Sequence, residues 1–564
     1  MSTARLLRSV RHTPGPQLLH RLGLLLKRKT LVALVSLLPA LAQRRAVPRV
    51  DARADLPMPL WPRASQASVV QRAEGWDACF LNVRRYFPGQ IDWHRKDLNT
   101  GTRLWKLNLH YFDWAEGLGD AQFIGLTQHW IDSNRPFGAG YWLDSWNSYA
   151  ISIRVVAWMG ELARRRTGLP EVFIRAMEVS IAEQLQFLAY NLELDIGGNH
   201  LIKNIKALYW GARYFDGPAA RQWAHIANEL LDREMQQQVL RDGFHFELSP
   251  AYHCQVFADL LDTWYVMSDG TQKSLLRQRL ADMAQAVADM THPDGKISLF
   301  NDGGLNMAHV PEQLLDVYTS LIGYGPQARR YAWLRDAGYH IFRTDELFLI
   351  HDAGPVGPDG LPAHAHGDIF AFELSVGGHR VFVDAGVFEY SAGERRARSR
   401  SSVMHNTLTL DDQDQCEFWS AFRMGRRARV TVLEASHDDQ GIMVDAQHDG
   451  YSHMSGQPVH RRRIQVQSDG VLCITDTVIG GQGQVARSRL LLHPAVQIES
   501  QGETCLRLRV GDRLVLVETT QGRLVAEPAV WWPDFGVEQA TLQLVIDLGV
   551  APGAWSFQIR TQRS

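Results

Sequence analysis

His364-Ala-His366-Gly-Asp368, Ile369-Phe-Ala-Phe-Glu-Leu-Ser-Val376, Gly377-Gly378 and His379-Arg-Val-Phe-Val-Asp384-Ala-Gly386 follow one another without a break. The two flanks of the glycine pair alternate with the two-residue period of a strand. The pair itself supplies the positive φ angles of a tight turn. The stretch therefore reads as an antiparallel hairpin. His364 and His366 stand at the mouth of one strand and Asp384 near the far end of its partner, and antiparallel pairing brings those ends together. Met404-His405-Asn406-Thr407 adds a third imidazole downstream. His366, Asp384 and His405 make a nitrogen and oxygen set suited to zinc, with open positions for water. The competing reading is a hydrogen-bonded histidine network. His364 and His366, two apart on an extended segment, are expected to point to opposite sides, one toward a metal and the other toward a cleft.

Working outward, the period of two persists from about Tyr339 to the C-terminus. Arg463–Gln467 and Val471–Thr475 flank Ser468-Asp469-Gly470. Leu506–Val510 and Arg513–Val517 flank Gly511-Asp512, and Thr541–Ile546 follows. Many short strands with turn signals at regular spacing indicate an antiparallel β-sandwich. Upstream, from about Phe80 to Ala337, the period is helical. The segments are Ala150–Thr167, Pro170–Leu192, His200–Tyr214, Ala219–Leu240, Gln255–Ser268 and Gln272–Met290, separated by short breaks. Helices joined by short loops are antiparallel neighbours, as in a bundle, solenoid or toroid. The expected organisation is multidomain, α then β: residues 1–75 as a basic and apolar segment with a linker rich in Pro, Arg, Ala and Ser, 76–337 helical, and 338–564 β.

The chain has 564 residues, too many for one core. Its formal net charge of −2 excludes a globally basic nucleic-acid binder but not a local basic groove for an anionic ligand. The five cysteines are scattered without CxxC spacing, which argues against a disulfide framework or a thiolate zinc site. Lys27-Arg28-Lys29 precedes an apolar run from Leu31 to Leu41, and Ala40-Leu41-Ala42 resembles a cleavage site. Three readings of residues 1–42 stand side by side: an export signal, a segment making peripheral contact with a membrane, and a helix packed on the protein.

Two further stretches carry chemistry. Gly198-Asn199-His200-Leu-Ile-Lys203-Asn204 opens a helix, with Asn199 as the expected N-cap. An amide donor and an imidazole beside the positive end of a helix suit a carboxylate ligand. Phe246-Glu247-Leu-Ser249-Pro250-Ala-Tyr252-His253 starts another helix, Ser249 capping it and Pro250 in its first position, so Tyr252 falls in the first turn. Of the arginines flanking His405 (Arg395, Arg396, Arg398, Arg400, then Arg423, Arg426 and Arg427), most read as a solvated face. A few could line a groove for sulfate or carboxylate groups.

These blocks together resemble the heparinase II/III-like polysaccharide lyases, which include related alginate lyases. The resemblance rests on Leu104–Phe112, Trp146–Arg154, the two stretches above, 364–374, Asp384 and His405-Asn406. It implies an incomplete (α/α) toroid followed by an antiparallel β-sandwich. It also implies β-elimination on a uronic-acid-containing glycan, an anionic polysaccharide, in the metabolism of bacterial exopolysaccharide or lipopolysaccharide and in the cell envelope, with the periplasm as the expected compartment. Asn199 and His200 match the family's carboxylate-neutralising pair, Tyr252 its proton donor and His364 its base. His366, Asp384 and His405 match a structural zinc site. Arg154 and Glu247 are expected either to touch substrate or to support the residues that do, and Asn204, His253 and Arg423 are expected substrate contacts. Lys203 departs from the acidic residue that some heparinases carry three positions after the histidine. The rival readings are a glycan-binding or assembly protein of polysaccharide export and a metal-dependent glycan hydrolase.

Overall fold

A computed structural model describes residues 8, 11–37, 47–63, 67–95, 103–137, 140–438, 441–467 and 470–563. Its helices are α1 (Gly15–Leu37), α2 (Arg103–Tyr111), α3 (Asp120–Ser133), α4 (Ser148–Arg165), α5 (Glu171–Ala189), α6 (Gly198–Tyr214), α7 (Pro218–Gln238), α8 (Pro250–Val266), α9 (Thr271–Met290), α10 (Pro311–Ile322) and α11 (Glu394–Arg400). The six helices expected from periodicity are all present, with ends displaced by a few residues. In α4, Ile151, Val155, Trp158, Met159 and Leu162 recur at helical spacing and are fully buried. Asn147 caps α4, its Oδ1 accepting from the backbone N–H of Tyr149 at 3.1 Å and of Ala150 at 3.4 Å. Gly323, at φ 94°, ends α10 in the left-handed region open to glycine.

The helical reading fails near its start. Gly75–Phe80 and Val83–Pro88 are paired strands, and Val69–Arg72, inside the expected linker, adds a third. The turn between the longer two is Leu81-Asn82, both at positive φ. Without a glycine there, no hairpin signal stood in the sequence.

From Tyr331 onward the regular elements are strands apart from α11 and a short 3-10 turn at Ser402–Met404. A five-stranded sheet runs in the order His379–Phe382, Phe372–Val376, Leu347–Asp352, Tyr339–Arg343, Tyr331–Leu334. The hairpin read from the sequence is there: Val376 pairs with His379, and Gly377 and Gly378 turn between them at φ 56° and 85°. A four-stranded, an eight-stranded and a two-stranded antiparallel sheet complete this part among the described residues. Leu374, Phe382, Leu490 and Ile546 on one side meet Ile464, Ile474, Leu508 and Phe557 on the other in one apolar core, as in a sandwich. Arg513–Thr519 and Cys505–Val510 pair across Gly511-Asp512 as expected. Ser468 and Asp469, of the other expected turn, lie outside the described residues, between strands Val459–Val466 and Leu472–Ile479.

The chain forms two compact units that do not divide at 337/338. One comprises Thr13–Gln237 and Ala258–Gln278, and the other Met1–His12, Gln238–Phe257 and Arg279–Ser564. Helical residues belong to the strand-rich unit because long-range bonds tie them to it. Tyr339 Oη donates to Leu248 O at 2.6 Å, Arg241 pairs with Asp336, and Arg343 donates to Thr291 O at 2.5 Å. In the helical unit, α1 directs Lys27 Nζ to Tyr190 O at 2.8 Å and leaves Leu19, Leu22 and Leu26 exposed. Among the described residues no helix is long and apolar enough to cross a membrane. Leu41 and Ala42, in the cleavage-like sequence, lie outside them.

Candidate active site

In the helical unit the site is built on the start of α6. Gly197 and Gly198 both take positive φ, 71° and 55°, and swing the chain into the helix. The helix begins at Gly198, so Asn199 is not its N-cap, as had been expected, but lies within the first turn, 2% exposed. Next to it His200 is part exposed. Its Nδ1 lies 3.0 Å from Glu193 Oε1, and its ring lies tilted against that of Tyr149 at 4.3 Å between centroids.

Asn204 is not the expected substrate contact and Arg154 takes the supporting place of its two: both are fully buried and used internally. Asn204 accepts from the Glu193 backbone N–H at 2.9 Å and donates to Glu193 Oε2 at 3.1 Å, so it holds the carboxylate that holds His200. Arg154 donates to Gln184 Oε1 and to the carbonyls of His110 and Ser145 at 2.7–2.8 Å, with its guanidinium 4.0 Å over Trp130. Lys203 pairs with buried Asp259 at 2.7 Å, as does Lys206.

In the strand-rich unit Ser249 caps α8 as expected, its Oγ accepting from the Tyr252 backbone N–H at 3.2 Å. Tyr252 is 7% exposed. Its hydroxyl lies 3.2 Å from that of Tyr390, and its ring 3.9 Å from that of His364. Burial first, then the Tyr390 hydroxyl and the Asp302 carboxylate, push its phenol well above the ordinary value. At neutral pH Tyr252 is therefore a neutral phenol, the form that donates a proton.

Asp302 organises the histidines. Its Oδ2 accepts from His364 Nδ1 and its Oδ1 from His366 Nε2, each at 2.8 Å, while Arg396 pairs with both oxygens. His364 and His366 thus converge on one carboxylate rather than pointing apart. Side chains two apart on an extended chain share a face. Burial would raise the Asp302 carboxyl, but Arg396 and the two imidazoles outweigh it and hold it well below its usual range. His364 Nε2 faces Glu247 Oε2 at 3.2 Å.

Glu247 is 2% exposed and lies against His364, the supporting place of the two open to it. His253 is corrected outright. It is fully buried, its Nδ1 accepts from the His245 backbone N–H, its Nε2 faces Met283 O, and its ring stacks on Phe244 at 4.6 Å. Arg423 remains exposed, 5.6 Å over Trp419. Arg396 and Arg400, read as part of a solvated face, are buried. Backbone strain collects here too: Leu248 and Asn301 both sit near φ 60°, joined by Asn301 Nδ2 donating to Leu248 O.

Among the described residues, the ligand atoms that come within 4.8 Å of one another are those of His366, Asp368 and His405. The expected set thus changes by one carboxylate. Asp384 Oδ2 instead accepts from His405 Nδ1 at 2.7 Å. With His366 Nε2 given to Asp302 and His405 Nδ1 to Asp384, His366 Nδ1 and His405 Nε2 are left buried with no hydrogen-bond partner. Burial, opposed by His405 but aided by Asp384, pushes the Asp368 carboxyl up to about 6. Two orphaned imidazole nitrogens beside crowded buried carboxylates, each imidazole braced by a carboxylate on its other nitrogen, fit a zinc ion.

A model of the heparinase II/III N-terminus matches residues 75–333, and one of the heparinase II/III-like C-terminal region matches residues 326–558. This chain belongs to the heparinase II/III-like family. Among relatives, a heparin-sulfate lyase of Bacteroides thetaiotaomicron is 24% identical over 403 residues, 64% of this chain and 55% of that protein. A heparin-sulfate lyase of Pedobacter heparinus is 26% identical over 292 residues, 45% of this chain and 44% of that protein. The chain spans about half the length of these relatives. The crystal structure of heparinase III superposes with a TM-score of 0.70 at 19% identity, covering 84% of this chain and 79% of that one. A heparan sulfate lyase mutant from Pedobacter heparinus gives 0.64 at 18%, covering 95% and 89%. The fold of this heparinase II/III-like chain is accordingly an incomplete (α/α) toroid followed by an antiparallel β-sandwich.

Proposed function

We propose that this chain is a polysaccharide lyase that cleaves an anionic, uronate-containing glycan by β-elimination. The observation that carries the reading is the pairing of a buried, neutral Tyr252 phenol with His364 at 3.9 Å between rings, His364 being oriented by Asp302. The relatives' names support the same class of substrate.

In the reaction the bond from C5 to hydrogen breaks, its electron pair forms the C4–C5 double bond, and the C4–O bond breaks. His364 takes the C5 proton, and Tyr252 gives its phenolic proton to the departing oxygen. Both then exchange protons with solvent, and no water is consumed. The family resemblance assigns the uronate carboxylate to Asn199 and His200 of the helical unit, an amide and an imidazole suited to stabilise the charge that builds on it. Glu193 and Asn204 hold His200 in place.

His366 and His405, with Asp368 or Asp384, would hold zinc, which when bound would neutralise the buried carboxylates and cross-link the loop that carries His364. Metal analysis should find stoichiometric zinc, and chelation should lower the melting temperature. Zinc-free protein with unchanged melting would sink this part of the proposal.

Sulfated and carboxylate-only uronate polymers, incubated with the protein, should give the ultraviolet absorbance of an unsaturated uronate. Products that carry oxygen from labelled water, or the absence of cleavage on every polymer, would overturn the lyase reading.

A further inference from the structure

A cavity of about 470 Å³, within the size range of small-ligand sites, lies in the strand-rich unit and is lined by Arg8, Arg11, His12, Arg426, His453 and Glu417. Its one lining carboxylate is already engaged. Arg8 donates to Glu417 from Nε at 2.9 Å and from a terminal nitrogen at 2.7 Å, a bidentate pair. Gly425 makes room for that carboxylate, since a Cβ there would lie 2.2 Å from Glu417 Oε2. Arg426 spends its donors on carbonyls, Gln415 O at 2.9 Å and Gly450 O at 2.5 Å, so its charge meets no carboxylate through them. His453 Nδ1 faces Gly450 O, which leaves Nε2 to accept from Arg426. Arg11 is exposed and, among the described residues, has no carboxylate partner. The positive charges of Arg11 and Arg426 are left over. The wall that supplies Arg8 and Arg11 belongs to a stretch, residues 1–50, with ten Lys or Arg and no Asp or Glu.

We propose that this cavity is an anion subsite that takes a sulfate or carboxylate group of a glycan chain, walled on one side by Arg8, Arg11 and His12. The proposal rests on the anionic-glycan ligand inferred above. The Arg8–Glu417 pair sets its charge: pairing silences the one acid and leaves the remaining cations to the ligand.

Binding can be read without turnover. Full-length protein carrying Tyr252→Phe is titrated with labelled heparan sulfate and alginate oligosaccharides over a range of salt. Arg11→Glu should weaken binding of one of them about tenfold and lower the slope of log K against log salt by about one, the loss of one neutralised charge. Glu417→Gln should strengthen binding. Arg49→Glu, on the same basic stretch but in the other unit, should leave it unchanged. Unaltered binding by Arg11→Glu, an equal loss with Arg49→Glu, or no binding of either probe would overturn the subsite. Inorganic sulfate competing as strongly as the glycan, charge for charge, would overturn its assignment to a glycan. Failure of the wild-type protein to cleave any polymer would count against the lyase reading and leave this titration standing.

Discussion

Tyr252 and Asp302 decide most at the scale of single residues. Tyr252→Phe removes a phenolic proton and one hydroxyl contact to Tyr390 at 3.2 Å, worth about 1 kcal/mol. Turnover is expected to fall by about 10²–10⁴-fold while melting changes little, as steady-state absorbance assays and calorimetry would measure. Because its phenol is pushed well above the ordinary value, Tyr252 keeps its proton as pH rises. Activity should therefore show no alkaline limb from this group below about pH 10. A limb that disappears in the Phe variant would contradict that. Arg396→Met leaves Asp302 buried and facing only two imidazoles, and should cost about 3–5 kcal/mol in denaturant unfolding; a loss below 1 kcal/mol would show the pair to be dispensable. The histidines of this cluster were legible in the sequence, but Asp302 was not. It stands 62 residues before His364, in Asn301-Asp302-Gly303-Gly304, a stretch that reads as an ordinary turn. Asn204 and His253 differ from expectation for the converse reason. A polar side chain on a helix looks the same in sequence whether it meets a ligand or a neighbouring helix.

The element that announced the β half is the hairpin around Gly377-Gly378, and its turn is testable. Gly378 sits at φ 85° with open space around it, so Gly378→Ala should cost only the conformational penalty of about 1–2 kcal/mol. At Gly377 a Cβ would also meet Arg513 Nε at 2.5 Å, so Gly377→Ala should cost more. Urea unfolding of the two variants gives the order, and the reverse order would show that Arg513 yields easily. Behind the turn, Asn406 joins the far ends of the two strands, donating to Phe372 O at 2.8 Å and Val383 O at 3.0 Å. It also accepts from the Leu491 backbone N–H in the four-stranded sheet. The neighbouring His405 is thereby held near the strand ends, as the hairpin reading required. Helices and strands with strong periodicity were read correctly. The hairpin 75–88 was missed because two non-glycine residues, Leu81 and Asn82, take the positive φ angles that sequence rules assign to glycine.

For the molecule as a whole, the sandwich depends on a buried ion network that sets its acid limit. Arg462 donates to Asp476 at 2.7 Å through two nitrogens, to Ser488 Oγ, and to the carbonyls of Phe370 and Asn406. Burial would raise the Asp476 carboxyl, but Arg462 and His460 outweigh it and lower it. A depressed folded-state value means that the stabilisation is complete above the unfolded value of about 3.9 and is lost as pH falls through the lower folded value. Asp476→Asn should therefore lower the melting temperature at neutral pH, with a gap that closes in strong acid. A gap constant with pH would assign the effect to packing. The sequence alone determined the order of helical and β regions, the hairpin and the family-bearing blocks, because periodicity and turn chemistry are local properties of the chain. Only the tertiary structure decided that His364 and His366 share Asp302, that the carboxylate lying with His366 and His405 is that of Asp368, and that Arg8 silences Glu417 in a basic cavity. Those contacts join positions up to 409 residues apart, and register and packing, not neighbouring sequence, bring such groups together.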